Sequence, residues 1–229
     1  MRTVRELFVR IYILLINLWE RRLFQHHSVL LDQTIGVESP EHRRYLNQQL
    51  ARTLPKRNAQ LKKRTRILVD QTASFVNLTK SDVLCIGCRN TAEIDYFRKK
   101  GTQSVTGIDL YSQDPSIKIM DMHRMTFPDN SFDIIYSSHS LEHAKEISKV
   151  AAEILRVARP GATIAIEVPV NYVPQGADLI DFKSLDNLHQ IFAPHIDQVY
   201  WSESLEMSDP DCEAGTPIIR TIFRIDKER

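Results

Sequence analysis

The sequence predicts an α/β fold in which a mostly parallel sheet is covered by helices on both faces. Three observations indicate this class. Short apolar runs begin at Asp82 and alternate with longer stretches of mixed polarity. The clearest mixed stretch, residues 147–158, places apolar side chains at helical spacing along one stripe. The apolar runs are continuous rather than alternating, as in strands that are buried on both faces of a parallel sheet.

Each predicted element follows from a local signal. Five apolar runs are predicted as strands, at residues 83–86, 104–108, 117–120, 132–136 and 163–168. Two further strands are predicted at 198–201 and 218–225, separated by a polar loop. Asn90 and Glu93 have the spacing of a capping box and predict a helix that ends at Gly101. The pair Pro160-Gly161 is predicted to end the helix over 147–158.

The charge of the chain divides it into two parts. The 229 residues carry 30 Lys and Arg against 29 Asp and Glu, a net charge of +1. Residues 1–66 contribute +9 and residues 67–229 contribute −8. We therefore predict a basic, partly amphipathic helical extension over 1–66 and an α/β domain over 67–229. The extension is predicted to hold one helix over 39–54, stopped by Pro55, and another over 56–76.

Residues 7–19 are mostly apolar and predict a helix that is too short to span a bilayer, because Arg10 and Asn17 interrupt it. Glu20-Arg21-Arg22 follows directly where a cleavage site would stand, so a cleaved signal peptide is not expected. Two interpretations remain open. The helix packs on the domain or on a second copy of the chain as a homodimer, or residues 1–24 contact a membrane surface.

Composition and charge also bear on location and partners. Three cysteines leave an odd thiol and favour a reducing compartment, so we expect a cytoplasmic protein, with a peripheral position at the inner face of a membrane as the alternative. The basic run 56–66 has no interleaved aromatic residues for base stacking, and a nucleic-acid partner is not favoured. Cys85 and Cys88 have CxxC spacing, but too few further cysteines follow for a structural zinc site, and no metal is predicted.

Ligands of open parallel sheets bind outside the carboxyl ends of the strands. The first predicted strand ends at Gly87, where the absence of a Cβ lets the backbone approach a ligand. Asp109 ends the second strand, 22 positions later, a spacing that suits a carboxylate bonding the hydroxyls of a ribose. Asp121 follows the third strand and is placed to accept a hydrogen bond from an adenine amine. The sequence therefore predicts a nucleoside-binding edge.

Several segments at this edge carry a resemblance to a known family. They are residues 83–88, Gly107-Ile108-Asp109, residues 121–133, Ser140-Leu141-Glu142-His143 and residues 153–161. Taken in order, they resemble the class I S-adenosylmethionine-dependent methyltransferases, in particular the small-molecule, type 11-like branch. The resemblance covers roughly residues 80–170. It implies a Rossmann-like sheet of seven strands with an antiparallel last strand, and S-adenosylmethionine as the cofactor.

The resemblance also implies which residues bind the cofactor. Asp109, with Leu110 beside it, would hold the ribose, and Asp121 and Met122 would border the adenine. Gly87 would approach the methionine moiety, and Ser138 would lie near the methyl donor. The glycine loop departs from the family's GxGxG pattern, because Arg89 and Thr91 replace two glycines and Cys85 stands where the family has an acid. Arg89 either pairs with the carboxylate of the donor or obstructs the pocket.

The predicted function is methyl transfer to a small-molecule acceptor or to a glycan- or lipid-linked one, at an oxygen atom. His139 follows the fourth strand and is the candidate catalytic base, although a structural role is an equal alternative. Residues 171–182 are expected to cover the acceptor. Two other functions stay open: an inactive binding module with a methyltransferase-like fold, and an RNA methyltransferase that uses the basic N-terminal region.

Overall fold

A computed structural model describes residues 4–58, 60–213 and 215–228, with side chains from residue 11 onward. Arg2, part of the predicted membrane-contact segment 1–24, lies outside these residues. The six helices are α1 Val4–Leu31, α2 Pro40–Thr53, α3 Lys63–Phe75, α4 Ala92–Lys99, α5 Ile147–Val157 and α6 Leu185–Phe192. Among the described residues, no helix combines the length and the apolar character needed to cross a bilayer.

Seven strands form one sheet, in the order β3-β2-β1-β4-β5-β7-β6. The strands are β1 Asp82–Ile86, β2 Ser104–Asp109, β3 Ile117–Ile119, β4 Phe132–Ser138, β5 Ala158–Pro169, β6 Ile196–Leu205 and β7 Ile218–Ile225. Strand β7 runs antiparallel to both of its neighbours, and the other strands are parallel to one another. The predicted fold class, including the antiparallel last strand, is confirmed.

Two apolar clusters cover the two faces of the sheet. On one face, Val150 and Ile154 of α5 pack with Leu188 and Phe192 of α6 against the sheet. On the other face, residues of α3 and α4 pack against β1, β4 and β7. The central strands β1 and β4 are therefore buried on both sides, which explains the continuous apolar runs of the sequence at these strands. The strand order places the crossover between β1 and β4, where such sheets bind ligands.

Two local predictions were wrong. The helix predicted over 56–76 begins only at Lys63, because Lys62 is extended and Leu54–Lys56 forms a separate 3-10 turn. The capping box does not form: the side chain of Asn90 accepts from the backbone N–H of Ala92, whereas the carboxylate of Glu93 is buried and makes no return bond. The helix α3 runs across Arg66, and the division of the chain at that residue stays a prediction.

The N-terminal extension packs on the carboxyl edge of the sheet. Leu31 of α1 is buried together with Leu50 of α2 and with Tyr111, which follows β2. Leu110 lies against the same cluster. The second half of α1 and the whole of α2 thereby border the edge at which the candidate site residues collect.

Candidate active site

Gly87 is the point at which the glycine loop approaches its neighbours most closely. Its φ of +72° lies in the left-handed region, which favours glycine. A Cβ built on Gly87 would lie 2.1 Å from the Oγ of Ser140. The backbone N–H of Gly87 donates to the carbonyl of Ile108 at 2.8 Å, which ties the loop to the end of β2. Both the backbone conformation and the close contact therefore require glycine here.

Asp109 ends β2 beside this loop. Its carboxylate accepts from the backbone N–H of Arg89 at 2.9 Å and from that of Tyr111 at 3.3 Å. Burial raises the pKa of Asp109, and the guanidinium of Arg89 and the backbone bonds oppose that rise. The structure brings Gly87, Arg89, Asp109, Leu110, Asp121 and Met122 together around one small cavity, which His139 also lines.

Asp121 lies on the adenine side of this cavity, between two histidines. Its carboxylate lies 3.2 Å from Nε2 of His42 in α2 and 2.6 Å from Nδ1 of His123. Burial would raise the pKa of Asp121, but the hydrogen bond and charge of His123 and the bond with His42 outweigh it and lower the pKa. In this conformation His42 of α2 therefore contacts one carboxylate oxygen of Asp121, the residue that is predicted to accept a hydrogen bond from the adenine amine.

A second cavity, of about 80 Å³, lies on the other side of the glycine loop and is lined by Ser138, Arg89, Glu93 and His139, among others. Four buried polar atoms of its lining have no hydrogen-bond partner among the described residues. Nε of Arg64 and Nε2 of His139 lie near the carboxylate of Glu167, whereas Nε of Arg89 and Oε2 of Glu93 have no such neighbour. Burial raises the pKa of Glu93 to about 8. A buried cation and a buried carboxyl group beside Gly87 form a pair of complementary, unsatisfied groups.

Glu93 is a candidate site residue that the sequence did not reveal, because its spacing from Asn90 matched a capping box. Two features of the sequence could have indicated it: Glu93 is an acidic residue in the first turn of the helix that follows the glycine loop, and the preceding strand lacks the acidic residue that the family has there. Cys85 occupies that acidic position and is fully buried. Burial raises the pKa of both Cys85 and Cys88 well above the usual range, so both side chains are neutral thiols.

His139 and Glu167 form the polar centre at the ends of β4 and β5. His139 has a φ of +53°, and its Nε2 lies 3.1 Å from Oε1 of Glu167. Glu167 is fully buried and also pairs with Arg220 at 2.6 Å and with Arg64 at 2.9 Å. Burial would raise the pKa of Glu167, but His139, Arg220 and Arg64 outweigh it and lower the pKa. Glu167 is thus held as a carboxylate that orients the imidazole.

Glu142, His143 and Asp178 lie close together beyond His139. Glu142 is fully buried, and neither of its carboxylate oxygens has a hydrogen-bond partner. The three side chains are near enough to share a metal ion. Arg52 of α2, however, contacts the imidazole of His143 and lies 3.3 Å from Asp178. Because this guanidinium already supplies a positive charge to the cluster, the donor set does not fit a metal cation.

Helix α2 closes the cavity at the strand ends. Tyr45 donates to the carbonyl of His143 at 3.1 Å, and Gln49 donates to the carbonyl of Ala177 at 3.0 Å. Tyr45, Gln49 and Arg52 line the cavity, which holds about 60 Å³. Ligand pockets in proteins usually hold roughly 300 Å³ or more. In this conformation Tyr45, Gln49 and Arg52 of α2 border the cavity together with Arg89, and the cavity is smaller than a nucleoside requires.

Comparison with known proteins agrees with this architecture. A family model described as a methyltransferase domain matches residues 84–166. A sterol 24-C-methyltransferase of Neurospora crassa is 44% identical over 46 residues, 20% of this chain and 12% of that protein. The ajmaline N-methyltransferase of Rauvolfia serpentina is 32% identical over 87 residues, 38% of this chain and 28% of that protein. The chain thus spans well under two thirds of the length of these relatives.

A solved structure extends the comparison to the whole fold. The 1,6-didemethyltoxoflavin-N1-methyltransferase of Burkholderia thailandensis, with bound 1,6-didemethyltoxoflavin and S-adenosylhomocysteine, has a TM-score of 0.66 to this chain at 16% identity. The alignment covers 82% of this chain and 91% of that one. The domain match over residues 84–166 and the shared fold agree with the predicted resemblance to class I S-adenosylmethionine-dependent methyltransferases.

Proposed function

We propose that the chain transfers a methyl group from S-adenosylmethionine to a small-molecule acceptor or to a glycan- or lipid-linked one. One observation carries the proposal: a carboxylate at the end of β2 and an unsatisfied Arg89–Glu93 pair flank the same glycine. These groups match the two ends of S-adenosylmethionine. The carboxylate can accept hydrogen bonds from the ribose hydroxyls, and the Arg89–Glu93 pair can bind the carboxylate and the ammonium group of the methionine moiety.

Each part of the cofactor has a counterpart in this edge. Asp109 binds the ribose hydroxyls, and Met122 borders the adenine. Asp121 accepts from the adenine amine once His42 has withdrawn with α2. Arg89 pairs with the carboxylate of the methionine moiety, and Glu93 accepts from its ammonium group. Glu93 thereby replaces the acid that is missing at Cys85. When bound, the cofactor supplies the electrophilic methyl group.

His139 is the group we assign to the acceptor. Transfer to a hydroxyl oxygen or an amine releases a proton, and an imidazole at the end of β4 can take it. Glu167 holds this imidazole in place through its 3.1 Å contact. Methyl transfer depends chiefly on alignment, and residues 171–182 and the buried Glu142 border the space that an acceptor would occupy. We propose oxygen as the acceptor atom; a base would serve an amine equally well, and the two relatives are named for transfer to carbon and to nitrogen.

The structure offers less support for an RNA substrate. Lys63 pairs with Asp211 at 2.6 Å, and its backbone N–H donates to Glu213 at 2.8 Å. Arg64 pairs with the buried Glu167. Much of the basic run is therefore used to attach the extension to the acidic domain, which leaves fewer charges for phosphates.

Calorimetric titration of the purified chain with S-adenosylhomocysteine tests the proposal. We expect binding by the parent protein and an affinity loss of about a hundredfold in Asp109→Asn, since two hydrogen bonds to a charged group are weakened. Asp95→Asn is the matched control, because Asp95 lies on the exposed face of α4 and pairs with Arg98. Absence of binding by the folded parent protein would refute the enzyme assignment and leave a binding module with this fold.

Turnover needs a separate measurement. Incubation with methyl-labelled S-adenosylmethionine and a set of hydroxyl- and amine-bearing acceptors would distinguish an active enzyme from a liganded but inactive protein. We expect label to reach an acceptor hydroxyl. Cofactor binding without transfer to any acceptor class would support the inactive alternative.

A further inference from the structure

The first half of α1 is an exposed apolar helix. Residues 11–19 are all exposed, and eight of the nine carry large apolar side chains. Tyr12 is 66% exposed and Leu14 is 59% exposed. Among the described side chains of this half, contacts outside α1 are found at its last residues: Trp19 lies under the guanidinium of Arg57, and the adjoining Glu20 pairs with the same group at 3.5 Å. Residues 11–18 therefore project beyond the described body of the protein.

The apolar surface surrounds the helix rather than forming one stripe. Successive helical residues are rotated by about 100°, so eight apolar side chains among nine positions point in every direction. A second copy of the chain, or any protein partner with a single groove, covers one side of such a helix and leaves the rest in water. A medium that is apolar all round it covers every side at once.

Length and charge specify this medium further. Nine helical residues extend about 14 Å. Charged residues stand in the sequence at both ends of this segment, at positions 10 and 21, so the segment lies along one leaflet just below the headgroups. Arg21 and Arg22 follow immediately and are exposed, at the level where lipid headgroups would lie. The exposed positive charges of Arg21 and Arg22 are complementary to an anionic surface.

We propose that residues 11–19 insert into one leaflet of an anionic lipid bilayer, with Arg21 and Arg22 among the headgroups. The second half of α1 carries this anchor to the active site, because Leu31 is buried against Tyr111 and Leu110 packs on the same cluster. The candidate cofactor edge is thereby held next to the membrane. Binding to the bilayer does not depend on methyl transfer, so each proposal can fail without the other.

Vesicle flotation of the full chain tests the anchor. The probes are phosphatidylcholine vesicles with and without phosphatidylserine. We expect the parent protein to float, and to float better with phosphatidylserine. The double variant Leu14→Asp/Leu15→Asp should partition into vesicles roughly a hundredfold less well, because two leucines that would lie in the lipid are replaced by charged side chains. Both positions are exposed, so the variant should keep the circular dichroism of the parent protein. Met207→Asp is the matched control, since Met207 is an exposed apolar residue outside α1.

Charge reversal separates the two components of binding. Arg21→Glu/Arg22→Glu should reduce flotation with phosphatidylserine vesicles and leave the weaker flotation with phosphatidylcholine unchanged. The proposal is overturned if the folded parent protein does not float with either vesicle, or if Leu14→Asp/Leu15→Asp floats as the parent does. A lipid-free dimer that these leucine substitutions dissociate, in a protein that does not float, would assign the helix to a second copy instead.

Discussion

Replacing Glu93 by glutamine tests the reasoning about the second cavity most directly. Burial raises the pKa of this carboxyl group from 4.5 to about 8. The folded protein thus keeps a proton that the unfolded chain releases at lower pH. Stability from this group is complete below pH 4.5 and is lost progressively as the pH rises toward 8. Glutamine has nearly the same shape and carries no titrating proton.

The magnitude follows from the two pKa values. Each pH unit between them changes the free energy of unfolding by about 1.4 kcal/mol. Between pH 5 and pH 7 the parent protein should therefore lose about 2 to 3 kcal/mol relative to Glu93→Gln. Urea denaturation at both pH values measures this difference. Glu41→Gln, at an exposed position of α2, is the control and should follow the parent profile.

Binding provides a second readout of the same group. An ammonium group beside Glu93 favours the carboxylate, so the affinity for S-adenosylhomocysteine should rise with pH up to about 8, by as much as about tenfold per unit. In Glu93→Gln the affinity should be lower and this rise should disappear. Identical pH profiles of stability and affinity in the parent protein and in Glu93→Gln would refute the assignment of this residue.

Three further predictions concern the base, the buried ion pairs and the covering helix. His139→Gln should lower kcat by about a hundredfold in a turnover assay, with affinity for S-adenosylhomocysteine unchanged; an equal loss of affinity would contradict a role toward the acceptor. Arg220→Met should lower the free energy of unfolding by about 3 kcal/mol in urea, because Glu167 stays buried with one cation fewer; an unchanged midpoint would contradict this. Gln49→Ala should speed association of S-adenosylhomocysteine about threefold in stopped flow, since the bond from α2 to Ala177 is lost; a slower rate would argue against an opening motion.

Local patterns in the sequence were enough to predict the fold class and the positions of most strands. The continuous apolar runs and the apolar stripe along α5 are local signals. A strand that is apolar on both sides needs helices packed on both faces of its sheet, which specifies the fold class. Gly87, Asp109 and Asp121 could be assigned to the site because each directly follows a strand, and parallel strands bring their carboxyl ends to one edge. The family resemblance supplied the strand count and the cofactor, which periodicity could not give.

Which polar groups of the site lack hydrogen bonds, and which residues are covered by α2, became clear only from the packing of the folded chain. Glu93 matched a local capping pattern, but α4 packs so that its carboxyl group is buried beside Arg89 and does not cap the helix. The closure of the cavity by α2 depends on contacts between residues about 90 to 130 positions apart, such as Gln49 with Ala177. Residues 11–19 are exposed because the buried contacts of α1 lie in its second half, at Leu31 and its neighbours. Burial and long-range pairing are properties of the assembled chain, whereas periodicity and turn chemistry are written in neighbouring residues.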